Sequence, residues 1–168
     1  MKNNRMNINL NHLRTEVYDK CAFEISDFKL EQESKEYDAC RFKLNERNII
    51  SRSAKITPKK IGQFVTFWKR NGNGIIEPLD ENDQFDFYVV NTRRENDFGQ
   101  FVFSKSILIK NGIISTNKKE GKRGFRVYPN WEIAQNKQAE QTQKWQLEYF
   151  YEINDSTNLK KVAKLYKA

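Results

Sequence analysis

The sequence predicts one α/β domain over residues 1–168, built as a central mixed β-sheet flanked by helices. Three observations predict it. Residues 37–44 alternate in side-chain character as a strand does, and residues 8–25 and 137–153 carry apolar side chains near four-residue spacing, as helices do. The two patterns interleave along the chain, which calls for helices packed on a sheet. A chain of 168 residues is also long enough to bury a core without disulfides or structural metal.

Ile8, Leu13, Val17, Cys21 and Ile25 mark a first amphipathic helix, and the preceding segment MKNNRMN, residues 1–7, reads as flexible. Residues 37–44 and 49–56, joined across residues 45–48, read as a β-hairpin. Thr57-Pro58 reads as a helix start, with threonine as N-cap and proline at the first helical position, and the helix should stop before Asn71-Gly72-Asn73-Gly74. On it, Ile61, Phe64, Val65 and Trp68 form a core stripe, leaving Phe67 with Lys60, Gln63 and Arg70 on another face. Residues 83–90 and 99–103 read as strands around a charged turn. Ser104 should cap a short helix running to Lys110 and ended by Asn111-Gly112. A short strand at 113–115, a basic loop and a strand at 124–128 follow. Residues 137–152 and 158–167 read as helices, the second capped by Ser156 or Thr157.

Charge is concentrated. The net +8 comes from residues 52–70, with six cations and no acid, and residues 105–126, with seven cations against Glu120, so the remainder is acidic overall. Segregation of this kind favours one strongly positive face. Cations interleaved with aromatic rings offer phosphate neutralisation and base stacking together.

Other classes are excluded by what the chain lacks. Cys21 and Cys40 are too far apart for a CxxC pair and His12 is the single histidine, so neither a Cys/His metal site nor a histidine-dependent hydrolase has its ligands or base. Both cysteines read as buried thiols. With no apolar run near 18 residues and no export signal, a cytoplasmic location is expected.

Two motifs bear on phosphate chemistry. EGKRGFRVYP, residues 120–129, brackets Lys122-Arg123 with glycines but is not a Walker A loop, which needs GxxxxGK followed by Ser or Thr. It reads as a basic turn feeding a strand, from which Arg123 and Arg126 could make forked contacts to phosphate or to a guanine edge. A PD-(D/E)XK nuclease site needs an acid on one strand and an acid-x-Lys triplet on the next, to hold Mg²⁺ and position water. Asp86 offers the first acid, but Gln100-Phe101-Val102 and Phe103-Ser104-Lys105 both fail the triplet. Pairing Glu36 or Asp38 with Ser53-Ala54-Lys55 puts serine where a carboxylate is required.

The strings EYDACRFKLN, AKITPKKIGQFVTFWKRN, DFYVV, GQFVFSK, EGKRGFRVYP and NKQAEQTQKWQLEYF resemble the MepB family, small bacterial proteins found among firmicutes with drug-efflux operons. The resemblance covers residues 30–153. It implies a PD-(D/E)XK endonuclease-like fold with an eroded catalytic signature, and an association with nucleic acid. Ser104 departs from the proline more usual in the family, which restores no carboxylate to the triplet.

The function expected is therefore non-catalytic binding of RNA or single-stranded DNA, with no cofactor and no metal. The binding residues expected are Arg52, Lys55, Lys59, Lys60, Phe67, Lys69, Arg70, Lys105, Lys122, Arg123 and Arg126. In the absence of a helix-turn-helix or zinc finger, backbone-led binding is favoured over duplex base reading. The alternatives are a Mg²⁺-dependent nuclease with an unconventional site near Asp86 and Lys105, and a basic docking module for an acidic protein or anionic lipid.

Overall fold

Asn7 opens the first helix, α1 (Ile8–Leu13), its side chain accepting from the Leu10 N–H at 2.8 Å. The computed structural model describes residues 6–167. After α1 the chain widens into a π turn (Arg14–Tyr18), tightens into a 3-10 turn (Asp19–Cys21) and stops at Ala22, whose φ is 58°. The π turn re-phases the apolar stripe. Leu10, Leu13, Val17 and Tyr18 are buried, whereas Ile8, expected inside, is 83% exposed, and Ile25 belongs to the strand that follows. Of the segment expected to be flexible, residues 1–5 lie outside the described residues, while Met6 packs against the core and Asn7 is a cap.

The strands then run β1 (Ile25–Leu30), β2 (Cys40–Leu44), β3 (Arg47–Ser53), β4 (Lys55–Thr57), β5 (Lys60–Thr66), β6 (Trp68–Arg70), β7 (Ile76–Pro78), β8 (Phe87–Arg94) and β9 (Asp97–Ser104). Ser104 caps α2 (Lys105–Lys110) through its hydroxyl, as its sequence predicts, and Gly112 at φ 70° follows the helix end. β10 (Gly124–Val127), α3 (Lys137–Leu147), β11 (Phe150–Glu152) and α4 (Leu159–Leu165) complete the order. Residues 113–115 form only an isolated bridge, Asp80 to Ser115. The helix expected to reach residue 152 ends at Leu147 because the exposed edge of β9 takes up Phe150–Glu152 as a strand, Phe150 opposite Phe101. Asn158, not Ser156 or Thr157, caps α4.

Six strands make the central sheet in the order β1-β2-β3-β8-β9-β11, and β3 with β8 is its one parallel pair. Parallel neighbours are buried on both faces, so each face needs its own cover. On one face α1, the turns after it and α4 bring Leu10, Leu13, Val17, Val162 and Tyr166 onto Phe42, Ile49, Phe87 and Val89. At its centre the Gln100 side chain bonds the hydroxyls of Tyr18, Tyr151 and Tyr166. On the other face a three-stranded sheet, β10-β5-β4, lies with α2 and α3 over Ile50, Tyr88, Val90, Phe101 and Phe103.

Residues 57–70, read as a helix, are strands. Gly62 at φ 84° sits under the Tyr128 ring, so close that a Cβ would lie 2.7 Å from it, and neither condition suits a helix. With β10 pairing β5 (Phe125 opposite Val65), strand alternation replaces helical spacing. Val65 and Phe67 turn inward at 0% exposure, and Phe64 and Trp68, assigned to the core by helical spacing, fall on the half-exposed face. Phe67 meets Tyr88 edge-on at 4.4 Å between ring centres, and cannot touch a ligand. Phe67→Ala should therefore cost about 3–5 kcal/mol in urea unfolding, and Phe64→Ala less than half as much.

The two cysteines differ. Cys40 is buried, and burial pushes its thiol from 9.0 up to about 12, against a lowering by the adjacent Ser51 hydroxyl and Arg52. Cys21, expected buried, is only partly covered. Burial likewise raises the Tyr18 hydroxyl from 10.0 to about 12. Both native groups hold their protons beyond the unfolded values. The stability they contribute is complete below about pH 9 and is lost as pH rises toward 12. Thermal melts across that window should fall accordingly, and at pH 8 a thiol reagent should modify Cys21 well before Cys40.

Candidate functional site

The two basic segments converge because β5 and β10 pair along their length, Gly124 opposite Thr66 and Val127 opposite Gln63. Their cations meet different fates. Arg52, on β3, is 2% exposed and grips Glu31 with both terminal nitrogens, at 2.9 and 3.1 Å. Lys69 lies 2.8 Å from Asp83, 3.2 Å from Asp80 and 3.7 Å from Glu77. Lys105 donates to the carbonyls of Glu81 and Asp83 over the Phe85 ring. These three, with Phe67, were expected at the interface; the structure spends Arg52 inside the fold and engages the two lysines with acids or carbonyls.

Three others are paired more loosely. Lys55 is 3.3 Å from Glu36, Arg70 is 2.5 Å from Glu33, and Arg123 is 3.0 Å from Glu120. All six side chains are at least 40% exposed, where such pairs are worth about 0–1 kcal/mol and exchange readily for another anion. Lys59, Lys60, Lys122 and Arg126 have no acid partner among the described residues. Lys59 and Lys60 stand exposed where β4 turns into β5. Arg126 reaches that turn, donating to Thr57 Oγ1 at 2.6 Å and to the carbonyls of Ile61 and Gly62 at 3.4 and 3.3 Å.

Between β10, α3 and the loop after α2 lies a cleft of about 290 Å³. Lys122 and Arg126 line it, and no lining residue is acidic. Gln138, Thr142 and Trp145 face it from successive turns of α3, the i, i+4, i+7 positions of one helix face. The floor is fixed by Gln146, 0% exposed, which donates to the Arg126 carbonyl at 2.9 Å and accepts from the Tyr128 N–H at 2.8 Å. Trp145, which also packs against the core, and Asn111, Tyr128, Asn136, Gln138 and Thr142 were not among the expected binding residues. Their signal was there. The amide-rich run NKQAEQTQK, residues 136–144, is separated by six residues from the basic block 120–129, and the contact of α3 with β10 joins them.

At the alternative nuclease site Asp86 and Lys105 are neighbours, the Lys105 backbone N–H donating to the Asp86 carbonyl at 3.2 Å, and both side chains bond to the fold. The Asp86 carboxylate accepts from the Asn48 N–H at 2.8 Å, tying β8 to β3, and Lys105 is committed to carbonyls. Among the described residues no three His, Cys, Asp or Glu side chains gather as metal ligands. No helix of the described residues is long and apolar enough to cross a membrane. His12 stacks on Phe98 at 4.9 Å, beside Arg93.

The Arg52–Glu31 pair carries its own test. Glu31→Gln leaves a buried guanidinium without its counter-charge and should lower unfolding stability by about 3 kcal/mol, measured by urea titration. Removing the exposed partner in Glu120→Gln should change it by under about 1 kcal/mol.

No curated protein matches the chain. Among solved structures, the crystal structure of MepB is similar at 37% identity and a TM-score of 0.76, over 79% of this chain and 89% of that one. A bacterial homing endonuclease aligns at 15% identity and a TM-score of 0.47, over 96% of this chain and 95% of that one, too remote to locate a site. The profile of the MepB-like family matches residues 31–152. The match spans the hairpin, both basic segments and the cleft, and the chain belongs to the MepB-like family.

Proposed function

We propose that the protein binds single-stranded nucleic acid, RNA or single-stranded DNA, through its phosphates and without cleaving it. One observation carries the reading: Lys59, Lys60, Arg126 and Lys122 are strung along the β10-β5-β4 sheet, from the β4–β5 turn to the residues that lead into β10, without an acid partner among the described residues. Cations spaced along a surface in this way attract a polyanion and release its counterions. The loosely paired Lys55, Arg70 and Arg123 extend the surface, since each can exchange a carboxylate for a phosphate. Partly exposed Phe64 on β5, with Tyr37 edge-on to it, and Trp68 on β6 supply rings. Binding without cleavage accords with Asp86 and Lys105 both being engaged in holding the fold.

Affinity for a single-stranded oligonucleotide should fall steeply with salt. Replacing Lys59, Lys60, Lys122 and Arg126 together by alanine should flatten the slope of log affinity against log salt by about 0.7 per lost phosphate contact. Lys20→Ala, at the helical face, should leave it unchanged. A flat salt response in the unaltered protein sinks the reading. Labelled RNA and DNA incubated with Mg²⁺ or Mn²⁺ should remain intact; chelator-sensitive cleavage lost in Asp86→Asn would overturn the non-catalytic part.

A further inference from the structure

The cleft beside the basic surface is more than a continuation of it. Two of its lining residues are cations and none is an acid, so its electrostatics select an anion. Trp145 and Tyr128 supply aromatic surface. The polar groups are arranged for a partner that both donates and accepts. Asn111 spends its Nδ2 on the Ile107 carbonyl at 2.9 Å, which fixes its orientation and leaves Oδ1 to accept. Asn136 accepts from the Ala139 N–H at 2.8 Å through Oδ1, which leaves its Nδ2 to donate. Gln138 and Thr142 make no side-chain hydrogen bond among the described residues. A cleft walled by an anion-selecting pair, flat rings and free amide edges matches the three parts of a nucleotide: phosphate, base face and base edge.

Size narrows the ligand. About 290 Å³ lies at the lower edge of the roughly 300–1,000 Å³ of small-ligand sites, room for one nucleotide unit and far too little for a duplex. We propose that this cleft receives a single unstacked nucleotide, its phosphate on Lys122 and Arg126 and its base against Trp145 and Tyr128 with edges toward Asn111, Asn136, Gln138 and Thr142. The inference rests on the nucleic-acid reading and deepens it. Phosphates along the strand follow the open surface around Lys59 and Lys60, and one base leaves the stack to enter the cleft. Arg126 links the two, since it lines the cleft while bonded to Thr57 at the β4–β5 turn. Duplex, whose bases stay stacked, is then discriminated against because no base is free to enter the cleft.

Calorimetry with the four nucleoside 5′-monophosphates, and with the matching nucleosides, tests this on the full chain. At least one monophosphate should bind saturably at one site, its nucleoside at least tenfold more weakly, and Arg126→Gln should weaken the monophosphate at least tenfold. Thr142→Trp, which fills the cleft from a partly buried position on α3, should abolish monophosphate binding while the oligonucleotide salt slope persists. A second readout needs no variant: in the unaltered protein the monophosphate should shift the side-chain amide resonances of Asn111, Asn136 and Gln138. No saturable binding by any monophosphate overturns the proposal, as do binding that survives Thr142→Trp and shifts confined to other residues. Oligonucleotide binding without monophosphate binding removes the cleft and keeps the surface; the reverse keeps the cleft and removes the surface.

Discussion

The parallel pairing of β3 with β8 is the constraint from which the rest of the molecule follows. Two parallel neighbours cannot be joined by a tight turn, so the chain between them must leave the sheet, cross a face and return, most often as a helix. Here residues 54–86 make the crossing as strands, β4 to β7. A strand crossover is stable only if its hydrogen-bonding edges find partners, and β10 arrives from later in the chain to supply one for β5. The first half of the crossover and its late partner carry the two basic segments. A topological requirement of the core thereby determines where the positive charge collects.

The same requirement explains what the sequence showed and what it hid. The β2–β3 hairpin, the β8–β9 pair and the Ser104 cap were legible, because each is set by contacts between near neighbours. Residues 57–70 were not. Ile61, Phe64, Val65 and Trp68 satisfy a helical period, and only the partner strand some sixty residues later makes strand alternation the better solution. Gly62 was the one local clue. The error at the site follows from the error in period: a helix exposes Phe67, a strand buries it and half-exposes Phe64 and Trp68.

Charge counted along a sequence also says little about charge available at a surface. Of the ten cations singled out, one is sealed in a buried pair, one is held by three acids and one by carbonyls, and three more share exposed pairs. Glu31, Glu33 and Glu36 come from the connection between β1 and β2, far from either basic segment in sequence but near them in space. Acids placed in this way trim the positive face from outside. Exposed pairs leave it adjustable, since the same cation can answer a carboxylate or a phosphate.

Arg126 shows the opposite arrangement. Its three partners, a hydroxyl and two carbonyls, hold the guanidinium in place yet carry no formal charge, so the side chain is oriented without being neutralised. An arginine free in solvent surrenders about 2 kcal/mol of rotamer freedom on taking hold of an anion. At Arg126 much of that entropy has already been lost in folding, under the cover of β5 and β10. An incoming anion meets a cation that is stationary and still fully charged, and specificity of position comes from the fold rather than from the encounter.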